Sequence, residues 1–287
     1  MPSLKGIKNR INSVKNTAKI TNAMKLVSAA KFSRASQAVS SARPYARAFE
    51  DLVTRLSSQT LVEHPFTAKS EESRILVVLI ATDRGLCGPL NGNLLKFMNA
   101  KAQAWRSQGK TVEFFPLGRK AIEYTRKNRF TILSSLEKAT DKPNIAFARK
   151  VGLAASENFL NGKYDAVYLC FAQFKSALAQ EPQLTRLLPV APAEDGSSAH
   201  SGGSTLFEPA PDQMLEALLK RRLDIQLFQA LLEATASEHG SRMTAMESAT
   251  RNAKEVSKKL TVQYNRARQA AITKELIEIT SGASALN

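Results

Sequence analysis

Apolar residues recur at helical spacing at both ends of this chain and at strand spacing only in its middle. Near the start, Leu4, Ile7, Ile11, Val14 and Ala18 stand three and four apart, the rhythm of a coiled-coil seam. The stripe is then expected to shift phase to Ile20, Met24 and Val27. Ser3 is the expected N-cap, and Pro44 is expected to kink or end the helix. At the other end, Asp212–Ser281 contains no proline and a single glycine, Gly240. Asp212 is read as the cap of that helix. Its first half is bulky and apolar (Leu215, Leu218, Leu219, Leu223, Leu227, Phe228, Leu231 and Leu232). Its second half runs through Met246, Ala249, Ala253, Val256 and Leu260, shifts to Tyr264, Ala267 and Ala271, and shifts again to Ile272, Leu276 and Ile279. Two narrow stripes of small residues predict that the chain ends pair antiparallel.

The middle changes period. Arg74–Thr82 reads RILVVLIAT, a continuous apolar run of strand length, as expected of a strand buried on both faces. A glycine loop follows, then a helix over Leu90–Gln108, a strand over Thr111–Leu117 and a short helix over Arg119–Asn128. A third strand is expected over Phe130–Ser134, a helix opening at Pro143, a strand over Tyr164–Phe174 and one more over Leu184–Val190. Strands alternating with helices predict an α/β fold, a Rossmann-like domain with a mostly parallel sheet, inserted between the helices of a long antiparallel coiled coil. The expected division is 1–60, N-terminal coiled-coil helix; 70–190, α/β domain; 191–211, a Pro-, Gly- and Ser-rich flexible linker and loop; 212–287, C-terminal coiled-coil helix.

Charge adds a partner to this picture. The formal net charge is +16, and ten Lys and Arg residues precede the first acid, Glu50. Such a helix forgoes supporting i,i+4 ion pairs, which an acidic surface facing it would explain. Nucleic acid, an anionic membrane and acidic protein loops all qualify, and composition alone puts nucleic acid first. Phe32 and Tyr45 are the only aromatics before Phe49, leaving little for base stacking. Two cysteines, Cys87 and Cys170, give no disulfide framework, and three scattered histidines give no zinc spacing. The longest apolar run, Ile75–Ala81, is too short for a bilayer, which needs ~20 residues, and the N-terminus lacks the apolar core of a secretory signal.

Candidate chemistry is sparse. ATDRGLCGPLNGNLLK follows the first strand, where α/β sheets place phosphate loops. It fits neither phosphate-loop pattern, and Pro89 removes a backbone donor. Gly85 and Gly88 are expected to shape a tight strand-to-helix turn. Paired catalytic carboxylates and a Ser-His-Asp set are not legible, and no catalytic, cofactor or metal residue is assigned.

SLKGIKNRINSVKNTAKITNAMKLVSAAKF resembles the N-terminus of the gamma subunit of the rotary F-type ATP synthase. DRGLCGPLNGNL resembles that family's central glycine motif. SRMTAMESATRNAKEV and LTVQYNRARQAAITKELIEITSGASAL resemble its C-terminal helix. The resemblance implies a rotor, not itself catalytic, turning inside a hexamer of alternating alpha and beta subunits in a 3:3:1 complex. The epsilon subunit and the c ring would sit at its base, and the delta subunit belongs to the same complex. It would couple proton flow to ATP synthesis or hydrolysis, carry no cofactor, bind no nucleic acid and meet the membrane only through the c ring. The implied location is the cytoplasmic side of a bacterial inner membrane. By position in the motifs, Met24, Lys25, Arg242, Arg268, Gln269 and Thr273 are the implied torque and beta-subunit contacts. Leu206, Phe207 and Glu208, in LFEP, are the implied foot near the c ring and epsilon.

Overall fold

The computed structural model describes residues 3–59, 65–67, 71–190 and 211–284. The elements run α1 (Leu4–Gln59), β1 (Arg74–Ile80), α2 (Leu90–Ser107), β2 (Thr111–Leu117), α3 (Arg119–Lys127), β3 (Thr131–Ile132), α4 (Ile145–Leu160), β4 (Ala166–Phe174), β5 (Gln180–Leu188) and α5 (Pro211–Ser284). Two compact units share the long helices: Met1–Ala29 with Met243–Asn287, and Ala30–Arg242.

In the first unit α1 and α5 run antiparallel. The N-cap is Ser3, whose Oγ accepts from the Gly6 N–H at 3.1 Å. Ile7 and Ile11 are buried in the seam, as their spacing predicts. The expected phase shift does not occur: Ile20 and Val27 are 60% and 59% exposed. The seam continues instead through Thr21, half-buried Met24 and buried Ser28. A hydrogen bond explains why a polar residue holds a seam position: Thr21 Oγ1 lies 2.7 Å from Thr250 Oγ1 across the pair. Satisfied in this way, two hydroxyls can sit where apolar groups are the rule. On α5 the seam position is Ser257, buried, and not Val256, which is exposed. Ile272, Leu276 and Ile279, read as a further seam, are all exposed.

The second unit is built on a five-stranded sheet in the order β3-β2-β1-β4-β5. The first four strands are parallel, and β5 pairs antiparallel to β4. β1 is buried on both faces, as its continuous apolar run predicts. Ile75, Val77 and Leu79 pack with Leu94, Met98 and Ala102 of α2 and Ala121 of α3. Leu76, Val78 and Ile80 belong to the opposite cluster, with Val151 and Ala155 of α4 and Leu223, Leu227 and Leu231 of α5. Gly152 lets α4 and α5 approach, since a Cβ there would stand 2.8 Å from Asp224 Oδ1. The base of the helix pair is held by Val39, Leu232, Ala236 and Phe174.

Four local expectations change. α1 does not end at Pro44 but runs on to Gln59. Ser40, whose carbonyl a proline at 44 leaves without its helical N–H, is exposed and open to water. The flanks are pinned on either side by buried Val39 and Val53. α5 begins at Pro211, so Asp212 lies in the first turn instead of capping it; proline suits that place because its missing N–H would have had no helical partner. The third strand shrinks to Thr131–Ile132. The last strand starts earlier, at Gln180, because Lys175 and Ser176 both donate main-chain N–H groups to Ala179 O and close a hairpin.

Candidate functional site

Two places concentrate polar chemistry, one in each unit. In the second unit the β1–α2 loop turns through Leu86 (φ 61) and Gly88 (φ 55), left-handed conformations that cost a leucine more than a glycine. The loop is fastened from within. Thr82 Oγ1 donates to Arg84 O at 2.6 Å, and Asn91 Nδ2 to Thr82 Oγ1 at 2.7 Å. It is also fastened by α5: Ser241 Oγ donates to Cys87 O at 2.7 Å and Arg242 Nη2 to Gly85 O at 3.1 Å. Its carbonyls are therefore turned toward α5, whereas a phosphate loop offers N–H groups to its ligand. Cys87 is buried, and burial pushes its thiol above the ordinary range.

Behind the loop lies a buried charge network. Arg242 Nη2 donates to Glu238 Oε1 at 2.7 Å. Thr140 Oγ1 stands between Glu238 Oε2 at 3.1 Å and Asp83 Oδ2 at 3.2 Å. Asp83 Oδ1 accepts from the main-chain N–H groups of Arg119 and Lys138 at 3.0 and 2.9 Å. One carboxylate thus ties the end of β1 to the start of α3 and to the segment after β3. Burial raises the pKa of Glu238, with Arg242 opposing. Burial drives His239 down to about 4, and the cations of Arg242 and Lys31 add to the shift. Among the described residues no group of His, Cys, Asp or Glu is arranged to hold a metal ion.

In the first unit a groove of about 370 Å³ is lined by Lys15, Ala18, Lys19, Asn22, Lys254 and Ser257. Three ammonium groups border it and no acid does. Lys25 is not one of them: its Nζ pairs with Glu247 at 3.3 Å.

The structure places the residues implied by the motifs in three settings. Met24 and Lys25 lie half-buried on α1 beside Glu247. Arg268, Gln269 and Thr273 are exposed on α5, with Gln269 and Thr273 one turn apart and Thr273 Oγ1 donating to Gln269 O at 3.0 Å. Arg242 is buried in the second unit, and its guanidinium is occupied by Glu238 and the loop carbonyls. Leu206, Phe207 and Glu208 lie outside the described residues. Sequence reading missed Asp83, Thr140, Glu238 and His239. The available signal was the i,i+4 spacing of Glu238 and Arg242 on a helix.

The first and last helices of the chain pair antiparallel, and a mostly parallel α/β domain lies between them in sequence. A family profile described as ATP synthase matches residues 3–286. The ATP synthase gamma chain of Geotalea uraniireducens is 43% identical over 287 residues, covering 100% of this chain and 99% of that one. The ATP synthase gamma chain of Hyphomonas neptunium is 41% identical over 292 residues, covering 100% of both. Among solved structures, the rotor of the Euglena gracilis mitochondrial ATP synthase superimposes with a TM-score of 0.68 at 19% identity, covering 94% of this chain and 98% of that chain. The chain belongs to the ATP synthase gamma chain family. Among the described residues no helix is long and apolar enough to cross a membrane.

Proposed function

We propose that this chain is the central rotor shaft of an F-type, proton-transporting ATP synthase. It turns inside a hexamer of alternating alpha and beta subunits, in a 3:3:1 complex, and couples proton flow through the c ring to ATP synthesis or hydrolysis at beta. By the same coupling it regulates ATPase activity and proton flow. Epsilon and the c ring meet its base, delta belongs to the same complex, and the shaft carries no reaction of its own. Its place is peripheral, on the cytoplasmic side of a bacterial inner membrane, with contact to the membrane made through the c ring.

The observation that carries this reading is the acid-free groove of Lys15, Lys19 and Lys254 on the helix pair formed by the chain's two ends. Cations without local acids suit the acidic loops of a surrounding ring. Arg268, Gln269 and Thr273, exposed on α5, are available as beta contacts. Arg242 is assigned a positioning role, holding the loop at Gly85, in place of a direct beta contact. The foot at Leu206, Phe207 and Glu208 rests on the motif alone. The domain division follows this use: 1–60 and 212–287 as the shaft, 70–190 as the body and 191–211 as the flexible linker and foot loop.

The test is reconstitution. Mixed with alpha and beta subunits, the chain should give a 3:3:1 complex that hydrolyses ATP. Steep, salt-dependent DNA binding by the isolated chain, with no such complex, would support the nucleic-acid reading instead.

A further inference from the structure

In the second unit one buried hydroxyl stands between two buried carboxylates. Thr140 Oγ1, on the segment after β3, is 3.1 Å from Glu238 Oε2 on α5 and 3.2 Å from Asp83 Oδ2 just past β1. Thr140 is 1% exposed, Glu238 3% and Asp83 8%. A threonine hydroxyl has one proton to donate. With both carboxylates ionised, that proton serves one of them, and the other faces a lone pair in a place closed to water. Charge does not balance either. Two carboxylates share the single guanidinium of Arg242, which donates to Glu238 Oε1 at 2.7 Å. One added proton settles both counts. We propose that Glu238 holds this proton in a hydrogen bond to Thr140 Oγ1, while Thr140 donates to Asp83, and that the resulting chain is a pH-sensitive latch fastening the β1–α2 loop and the segment after β3 to α5.

The proton falls to Glu238 for two reasons. Asp83 Oδ1 already accepts the main-chain N–H groups of Arg119 and Lys138, and a carboxylate anion accepts such bonds more strongly than a neutral acid does. Glu238 lies deeper, and burial, the largest influence on it, disfavours its charged form. The charged and titratable groups around it act in both directions. Arg242, on α5, favours the anion, and Asp141, after β3, opposes it. His239, the next residue on α5, is driven down to about 4 by its own burial and by Arg242 and Lys31 of α1, so it adds little charge above 4.5. Cys87, in the loop, is kept a neutral thiol by its burial.

The latch joins pieces far apart in sequence. Asp83 draws in the start of α3 and residue 138, Thr140 carries the segment after β3, and Glu238 is fixed on α5. On the next turn of α5, Ser241 Oγ donates to Cys87 O at 2.7 Å and Arg242 Nη2 to Gly85 O at 3.1 Å, so the loop rests on the part of the helix that holds the proton. Loss of that proton leaves two anions facing one hydroxyl and drives them apart. The folded cluster binds the proton more tightly than the unfolded chain does. Acid therefore favours the latched form, and the latch loosens as pH rises from 4.5 through the raised value. The device lies wholly in the second unit and does not depend on the rotor reading.

The test uses the full chain and has two readouts. In the first, the chain carries carbon-13 in its glutamate carboxyls, and its infrared spectrum is followed from pH 4 to pH 8. The difference between the unsubstituted chain and Glu238→Gln isolates one glutamate, whose acid band should reach half intensity more than one pH unit above the ordinary 4.5. A midpoint within one unit of 4.5, or below it, overturns the proposal. The second readout is Cys87, buried beneath the loop's hold on α5. Its alkylation by a neutral maleimide, located by peptide mapping, is divided at each pH by the rate for N-acetylcysteine, because only the thiolate reacts. From pH 5 to pH 8 this ratio should rise on the order of tenfold in the unsubstituted chain as the loop opens locally. It should stay low and level in Glu238→Gln, whose amide N–H donates to Thr140 at every pH, and high and level in Thr140→Val, which lacks the bridge. An ionised Glu238 by itself raises the Cys87 thiol and slows labelling, so a rise reports opening and not charge. A level ratio in the unsubstituted chain overturns the latch, as does an equal rise in Glu238→Gln. At pH 5 the unsubstituted chain and Glu238→Gln share one hydrogen-bonded state, so a variant that melts well below the unsubstituted chain there overturns it too.

Discussion

Arg242 and Glu238, one turn apart on α5, form a buried ion pair at 2.7 Å through Nη2, and the same Nη2, with Nε, reaches the carbonyls of Arg84 and Gly85. Removing one partner of such a pair leaves a buried charge without compensation, at a cost of about 3–5 kcal/mol, more than the pair itself contributes. Arg242→Leu should therefore destabilise strongly, whereas Arg242→Leu combined with Glu238→Gln should recover a good part of the loss. Denaturant melts of the two single variants and the double variant measure this; equal and additive losses would show that the residues act independently.

The same cluster sets two opposed pH dependences. Glu238 has a folded-state pKa above its ordinary 4.5, so the folded chain holds this proton more tightly. Its contribution is present at low pH and is lost as pH rises from 4.5 through the raised value. His239 has a folded-state value lowered from 6.5 to about 4. Its contribution is present above 6.5 and is lost as pH falls toward 4. Glu238→Gln should remove the loss on the alkaline side of 4.5, and His239→Gln the loss on the acid side of 6.5. Melting temperatures taken from pH 4 to pH 8 read out both, and unchanged profiles would show that neither group titrates differently on folding.

Gly118 closes the turn from β2 into α3 with φ +89, and a Cβ there would sit 2.1 Å from Ala81 O, a backbone atom. Strain and clash act together, so Gly118→Ala should cost on the order of 3 kcal/mol or more. Gly162, at φ +67 with open space around it, is the comparison: Gly162→Ala pays the conformational strain alone and should cost about 1 kcal/mol. Equal losses in chemical denaturation would remove the clash from the account.

These networks mark the boundary of what the residues disclose in order. β1 and β4 were legible because both faces are buried and every position but Arg74 and Gln173 is apolar or aromatic. β5 was read late because its opening residues, Gln180-Glu181-Pro182-Gln183, belong to a sheet edge, where proline and polar groups are tolerated. The seam was traced correctly to Ala18 and then lost. Half-buried Thr21 and buried Ser28 and Ser257 hold seam positions, and apolar periodicity cannot see a polar residue there, such as Thr21 with its hydroxyl bonded to Thr250 across the helix pair. The loop motif announced a turn, but its fastening was invisible. Asp83, Thr140 and Glu238 are ordinary residues until the fold brings together groups 57 and 98 positions apart. Arg242 was singled out by its motif, yet its burial and its bonds to Glu238 and the loop carbonyls are facts of packing alone.

The lysine groove gives the sharpest test of the rotor reading. Lys15, Lys19 and Lys254 border it, while Lys25, adjacent in the motif, is already paired with Glu247. All three groove lysines are exposed, so their replacement by glutamine should leave folding and assembly intact. If they meet acidic loops during rotation, Lys15→Gln, Lys19→Gln and Lys254→Gln together should at least halve the protons pumped per ATP hydrolysed at low ionic strength. Near 1 M salt, where the screening length falls to ~3 Å, the triple variant and the unsubstituted chain should converge. Lys25→Gln alone should change coupling little, because its charge is spent within the helix pair, and surface pairs of that kind contribute about 0–1 kcal/mol. Coupling unchanged by the triple substitution at both salt concentrations would show that the groove's charge takes no part in transmitting torque.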